Sequence, residues 1–547
     1  MTSAVPMNES EPPPARNEST QPREANSELP LAGASTEAPP GSPTNSSGAA
    51  GDLSPRPTEP GETPAASEAA LPSRPPEPRY PLPVVAVLGV MAVSIVAFSA
   101  WSHWFGPAVD RLQYPLETAL RIVERGMEFR EATRGAGPAE RALLWLGGDS
   151  PELDAEAFPA MYREILRAPP GGAVAQTNKT WLQAHLIVLL GELGKTNDCR
   201  AELESFSQLS TDSRFVAAVR RVYLLELTGT SHSDLDSATN SLSAGWTRDR
   251  FAARLAEAEG RMADARGLES DILARAQRWH HRTMTSLTVY LAMVVAAFLI
   301  LAQVWRRGGI AWCREPDNSL APWPFSDGIA VLFASLVGGL ALAVLLLVAS
   351  RPVLGWVGGY WYSLLLAVPA VVLVRLCLLR PYALRFLRHF GIEFSWRALI
   401  VALGGATVIA GLFVAASQVV GRFCEGLGLA VHWTEGLDES LLYEAWPVKL
   451  AVLVNMSLVA PFVEELLVRG VLFGTLRKRM GLLAAAAVSS AVFAFIHHYS
   501  LVGTLAVFCF GFVCALVYER TRNLGVCVAG HMLTNLLIGL FEIAMLG

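Results

Sequence analysis

Apolar residues in this chain come in long blocks, with polar stretches between them. The first block runs from 83 to 104. Eight more follow a polar middle, near 284–305, 327–350, 353–379, 398–420, 448–475, 482–499, 501–518 and 524–546. Most reach the ~20 residues that a helix needs to cross the hydrocarbon core of a bilayer. The pattern predicts an all-α, polytopic membrane bundle of about nine spans. Residues 1–80 contain no Phe, Trp or Ile and hold 11 acidic and 5 basic residues. Such a segment cannot bury enough apolar surface to offset its ordering entropy, so a disordered Pro/Ser/Glu-rich tail acting as a spacer is expected there. The block at 83–104 begins too far from Met1 for an ordinary cleaved signal peptide and reads as an anchor helix.

The polar middle, 107–282, has a helical pattern with three similar short connections: Gly194 to Asp198, Gly229 leading to Asp234, and Gly260 to Asp264. Gly194 and Gly260 both open a Gly-x-x-x-Asp-x-Arg motif, which ends at Arg200 and Arg266. Glycines 35 and 31 residues apart suggest stacked helical hairpins, resembling tetratricopeptide repeats, with an irregular helical domain as the alternative. The expected organisation is thus a tail (1–80), an anchor (83–104), an extramembrane helical domain (107–282), accessory membrane helices (284–394) and a final membrane domain (395–547).

Loop charges orient the spans, because basic residues accumulate on the cytoplasmic side. Arg306, Arg307 and Arg314 follow one span, Arg380, Arg385 and Arg388 another, and Arg477, Lys478, Arg479, Arg520 and Arg522 flank later ones. The loop 421–447 instead carries Glu425, Glu435, Asp438, Glu439 and Glu444. The tail is therefore expected in the cytoplasm and 107–282 on the extracytoplasmic side, in a bacterial inner (plasma) membrane. Arg278, Arg282, Arg351 and Arg422 stand against this scheme.

Composition narrows the function. The chain has 547 residues, 52% hydrophobic and 17% charged, and a mean hydropathy of +0.35. A net charge of −5 over this length argues against a nucleic-acid partner. Of seven cysteines only Cys199 lies in the polar middle, which leaves no disulfide scaffold there.

The candidate chemistry sits inside the block that starts near Val448. Glu464, Glu465 and Arg469 fall within six residues of one another. Each ionisable group at membrane depth costs roughly 2.5–3.5 kcal/mol on insertion scales, so a functional site is the default reading. On a helix Glu465 and Arg469 stand at i and i+4 and can pair, whereas Glu464 lies about 100° around and remains available. The alternative is a helix that leaves the membrane at Phe462. Pro461 removes a helix hydrogen bond and predicts a kink. Phe493 and His497 share a face one turn apart, as do His531 and Asn535, while His498 points elsewhere and reads as structural. These residues suit hydrolysis of an amide by water. Glu464 would be the general base, His497 would hold the water, and His531 and Asn535 would donate to the oxyanion. A second version puts a metal, such as zinc, on Glu464, His497 and His531. No H-E-x-x-H or G-x-S-x-G pattern is present to favour a metal or a serine nucleophile. A non-catalytic membrane scaffold whose helical domain binds protein partners is the reading from another class. A proton-coupled transporter is a third, though no internal duplication supports it.

Glu-Glu-x-x-x-Arg at 464–469, Phe-x-x-x-His at 493–497 and His-x-x-x-Asn at 531–535 resemble the three motifs of the CAAX protease and bacteriocin-processing (CPBP) family. That family includes the type II CAAX prenyl endopeptidases and the lysostaphin resistance protein A-like proteins. The resemblance covers roughly 395–547. It implies an intramembrane endopeptidase acting on peptide or protein substrates at the bilayer. In this chain Glu464 would be the base, His497 would help activate water, His531 and Asn535 would stabilise the oxyanion, and Glu465, Arg469 and Phe493 would support the site. The family is often labelled metalloprotease, which keeps zinc open. The three polar centres are expected to line one cavity, closer to the cytoplasmic side.

Overall fold

The computed structural model describes residues 77–105, 108–147, 151–167, 176–210, 212–226, 236–308, 317, 319–349 and 362–547. The tail expected at 1–80 lies outside the described residues except for its last four, and the connection at Gly229–Asp234 lies outside them entirely. All regular structure among the described residues is helical.

The block expected to be an anchor forms α1 (Leu82–Phe105). Six helices of the polar middle follow: α2 (Pro115–Thr133), α3 (Pro138–Gly147), α4 (Pro151–Arg167), α5 (Gln176–Glu192), α6 (Thr196–Leu209) and α7 (Ser213–Tyr223). Next come α8 (Trp246–Ala258) and α9 (Met262–Arg306). The membrane region continues with α10 (Phe325–Ala349), α11 (Tyr362–Leu373), α12 (Trp396–Gly426), α13 (Trp446–Arg477), α14 (Leu482–Phe495), α15 (Leu501–Thr521) and α16 (Leu524–Leu546). Among the described residues seven helices are long and apolar enough to cross a membrane: α1, α9, α10, α12, α13, α15 and α16. The span expected at 482–499 is shorter, because α14 stops at Phe495. The one expected at 353–379 is described only from Tyr362.

Helix α9 is 45 residues long and passes from the polar domain into the bilayer without interruption. No Gly or Pro occurs between Leu268 and Arg306, so nothing in the backbone breaks it at the expected boundary near 282. The two connections that share a motif also share a geometry. Gly194 and Gly260 have φ of +71° and +76°, where a side chain would be strained. At each, the next amide reaches back to the same place in the preceding helix: Lys195 N–H to the Leu190 carbonyl, and Arg261 N–H to the Ala256 carbonyl. This is the Schellman ending of a helix. Between these turns a core of Leu182, Leu186, Leu190, Phe206, Phe215, Trp246 and Phe251 is buried.

In the membrane region α12 packs on α9, α15 and α16, and α14 pairs with α15. The loop 427–445 lies against the helical domain. Glu439 accepts from the backbone amide of Tyr114 and from Thr118 Oγ1 at 2.6 Å, and Trp433 packs on the helical core. At the other ends of the spans Arg522 pairs with Asp317 at 2.7 Å, and buried Asp327 accepts from the amides of Arg79 and Tyr80. The acidic loop and the helical domain therefore share one face. Two of the arginines that oppose the charge scheme are engaged on that face. Arg282 donates to the Ala544 carbonyl near the end of α16, and Arg422 to the Trp145 carbonyl. Cations at a helix C-terminus are favoured by its dipole, which accounts for Arg282.

Candidate active site

Helix α13 changes its winding twice around the two glutamates. A π-helical turn spans Asn455–Val459, an α-helical segment Ala460–Glu465, and a second π-helical stretch Leu466–Phe473. Such turns inside α-helices occur frequently at functional sites. In a π turn the carbonyl of residue 456 looks to the N–H of residue 461, and Pro461 has none. Asn535 Nδ2 donates to the Met456 carbonyl instead, at 2.8 Å. The expected disturbance at Pro461 and the candidate residue Asn535 are thus two halves of one contact between α13 and α16.

Glu465 and Arg469 pair at 3.0 Å with both side chains fully buried. The same oxygen of Glu465 lies 3.0 Å from His531 Nδ1. A carboxylate only accepts, so Nδ1 carries the proton, and Nε2 of a neutral ring is left with a lone pair. That Nε2 stands 3.7 Å from Glu464 Oε2, beyond a direct hydrogen bond but within reach of a bridging water. Glu464 is 31% exposed and has no hydrogen bond among the described residues, so of the two carboxylates it is the accessible one. Phe493 sits beneath this group. Its ring centroid is 4.5 Å from the Arg469 guanidinium carbon, 4.6 Å from the His497 ring and 5.9 Å from the His531 ring. Phe510 lies 4.8 Å from His531 on another side. An arginine over an aromatic face gains cation–π attraction, which is stronger where water is excluded.

His497 stands beyond the end of α14, in the turn 496–500, not in a span as expected. The helix ends because His498 takes a left-handed conformation, φ +56°. His497 Nδ1 donates to the Phe493 carbonyl at 2.7 Å, one of the carbonyls a helix end leaves unpaired. Its Nε2 is thereby free to accept or to hold water. His498 faces away, toward Ser99 Oγ at 3.5 Å on α1. The turn is bonded to the loop on the helical-domain side through Glu435, which accepts from the Ser500 amide at 2.9 Å. His497 accordingly lies toward the helical-domain face, whereas the sequence reading put the cavity nearer the opposite face. Helix α14 starts at that opposite face, and His497 comes after its far end. Phe493 joins the two histidines, so the structure brings Glu464, Glu465, Arg469, Phe493, His497 and His531 into one cluster, with Asn535 one turn away on α16.

Among the described residues no three His, Cys, Asp or Glu side chains come together as metal ligands, so the set Glu464, His497 and His531 is not assembled around one point. The Nδ1–H of His531 on Glu465 leaves Nε2 as the ring's one possible ligand atom, the orientation usual for a metal-bound histidine. Sequence reasoning missed a second buried ion pair. Arg477, read as a loop charge, is fully buried and binds Glu519 of α15 at 3.2 Å. A glutamate at the end of an otherwise apolar block was the available signal.

These features define an all-helical, multi-pass membrane protein with a water-accessible carboxylate beside a buried arginine–glutamate–histidine chain. Residues 446–537 match the Rce1-like family, the type II CAAX prenyl endopeptidases. The likeness read from the three motifs is thus shown over that segment, which lies within the range expected. A similar protein from Bacillus subtilis (strain 168), named "Putative membrane peptidase YdiL", is 27% identical over 136 residues, 25% of this chain and 55% of that protein. The chain spans about half the length of that relative. No solved structure matches.

Proposed function

We propose that residues 446–537 hydrolyse peptide bonds of membrane-associated proteins or peptides, with Glu464 activating the water. The observation that carries this reading is the split between the two adjacent carboxylates: Glu465 is buried and shared by Arg469 and His531, while Glu464 is open to water 3.7 Å from His531 Nε2. Glu464 takes a proton from a water that His497 Nε2 helps to hold, and the hydroxide adds to the scissile carbonyl carbon. The oxyanion is met by the second N–H of Asn535 and by His531, which first takes a proton from water onto Nε2, the added charge being balanced by Glu465. The proton held on Glu464 passes to the leaving amine as the C–N bond breaks. Removing a general base costs typically 10²–10⁴-fold in rate. The helical domain, on the extracytoplasmic side of a bacterial inner membrane in this reading, screens or recruits substrates.

The test uses the purified full chain with two substrates: a prenylated peptide ending in a CAAX sequence, and an unprenylated transmembrane reporter. Glu464→Gln keeps shape and removes the base, so hydrolysis should fall by roughly 10²–10⁴-fold with folding unchanged. Wild-type hydrolysis by that variant would sink the reading and leave the scaffold in its place. Inhibition by a chelator with recovery on adding zinc would replace the glutamate-only chemistry with a metal. The substrate that is cleaved decides whether prenylation matters.

A further inference from the structure

The turn that carries His497 is held from outside the segment that matches the endopeptidase family. Ser500 begins α15 as its cap, with its Oγ accepting from the Gly503 amide at 3.3 Å. Glu435, from the loop 427–445, closes over this helix start. Its carboxylate accepts from the Ser500 amide at 2.9 Å and from Ser500 Oγ at 3.2 Å. A side-chain carbon on Gly503 would fall 2.0 Å from a Glu435 oxygen, so only glycine leaves room for the carboxylate there. An anion at a helix N-terminus meets unpaired amides and the positive end of the dipole, and the contact is favourable. Tyr499, also in the turn, feels the charges of both Glu435 and Glu464.

The same short stretch grips the helical domain with its other residues. His432 Nε2 lies 3.1 Å from Glu164 of α4, and Trp433 Nε1 donates to Glu164 at 2.8 Å. Glu435 N–H bonds the His432 carbonyl, and Gly436 turns the chain with φ +79°. Residues 432–436 therefore form one hydrogen-bonded turn with the helical domain on one side and the His497 turn on the other.

We propose that Glu435 is a positioning residue for the hydrolytic site, and that the helical domain sets the placement of His497 through it. The positioning role in catalysis rests on the hydrolytic reading above; the mechanical link does not. Glu435 touches no reacting atom. It acts by fixing Ser500, and so the turn 496–500, relative to Glu464. A state of the helical domain that moves Glu164 moves His497.

Hydrogen–deuterium exchange on the full chain in detergent micelles tests the link with no substrate present. Glu435→Ala should speed exchange of amides in 496–505 by about 10-fold or more, because their opening no longer breaks the carboxylate contact. Glu164→Ala, which does not touch this segment, should also speed exchange there while leaving the far ends of α13 and α16 unchanged. Unchanged exchange at 496–505 in both variants overturns the proposal. The activity arm uses whichever of the two substrates above is cleaved. Glu435→Ala should lower kcat by about 10²-fold with KM within about twofold, the loss expected when a catalytic group shifts by about 1 Å. Glu435→Gln keeps an acceptor for the Ser500 amide and should recover most of that loss. If Glu464→Gln is inactive and Glu435→Ala is fully active, this inference fails and the hydrolytic reading stands. If Glu464→Gln is active while exchange responds as expected, the hydrolytic reading fails, and with it the catalytic role of Glu435, while the link from helical domain to turn remains.

Discussion

Helix α13 holds two fully buried arginines eight residues apart, and they live in opposite ways. Arg477 is saturated. Its Nε and Nη2 reach the two oxygens of Glu519 at 3.3 and 3.2 Å, and Nη1 donates to the Met480 carbonyl at 2.8 Å. Arg469 makes one hydrogen bond, from Nη1 to Glu465, while its Nε and Nη2 have no hydrogen-bond partner among the described residues. The oxygen of Glu465 that Arg469 leaves alone has none either. A buried polar network that is fully satisfied rigidifies its surroundings, and one that is partly satisfied carries a standing cost. Arg477 with Glu519 reads as a lock between α13 and α15. Arg469 with Glu465 carries such a cost, and the Glu465 oxygen that Arg469 binds is the one that also holds His531.

The sharpest way to break this contrast is to neutralise the two glutamates in parallel. Glu465→Gln removes the negative charge from the group that accepts from both His531 Nδ1 and Arg469 Nη1. Hydrolysis should fall by roughly 10²–10⁴-fold, the range for losing acid–base function. Glu519→Gln should leave turnover per folded molecule within about twofold, since it touches no part of the cluster around Phe493. Equal losses in the two variants would mean that the pairs do not differ in kind.

Stability should rank the other way. Breaking a buried ion pair by removing one partner costs roughly 3–5 kcal/mol, because the surviving charge is uncompensated. Glu519→Ala removes the carboxylate that Arg477 binds and should show that loss as a lower unfolding temperature and lower yield. Arg469→Ala should lie below it, since Glu465 keeps His531 as a partner, but above Glu464→Ala. Glu464 is partly exposed and unbonded, so its removal should cost less than about 1 kcal/mol. Thermal unfolding in detergent orders the three. A Glu464→Ala variant as unstable as Glu519→Ala would show that Glu464 is a structural charge.

Much of this was legible in the chain itself. Spans follow from block hydrophobicity, and the pairing of Glu465 with Arg469 follows from helical spacing, since both depend on neighbours in sequence. The twin turns at Gly194 and Gly260 were visible as a shared motif because a left-handed residue at a helix end has a local signature. What could not be read depends on contacts between distant segments. Arg477 looks like a loop cation until Glu519, 42 residues away, is seen against it. Asn535 carries no sign that its amide answers a carbonyl freed by Pro461. Glu435 looks like one acid among five in its loop, and only the fold sets it on Ser500. The end of α14 was misplaced for a simpler reason: His498 adopts a left-handed conformation that its residue type permits without announcing.

Glu124 extends the comparison to a buried carboxylate outside the membrane. It lies in the helical domain with one oxygen unpaired, and burial raises its pKa from 4.5 to about 7 despite a backbone hydrogen bond from Thr247. The folded state therefore holds this proton more tightly than the unfolded chain does. Stability from this group is fully present below about pH 4.5 and is lost as pH rises through about 7, on the order of 3 kcal/mol in all. His185, buried in the same domain and lowered to about 4, works in the opposite sense: its contribution is present above its ordinary value of 6.5 and is lost as pH falls toward 4. The two trends overlap in the wild type, so the test is a difference between chains. Glu124→Gln is permanently neutral and should match the wild type near pH 5, then unfold at a higher temperature than the wild type near pH 8. No gap at pH 8 would mean that Glu124 ionises in place, with water or Arg125 supplying what burial removes.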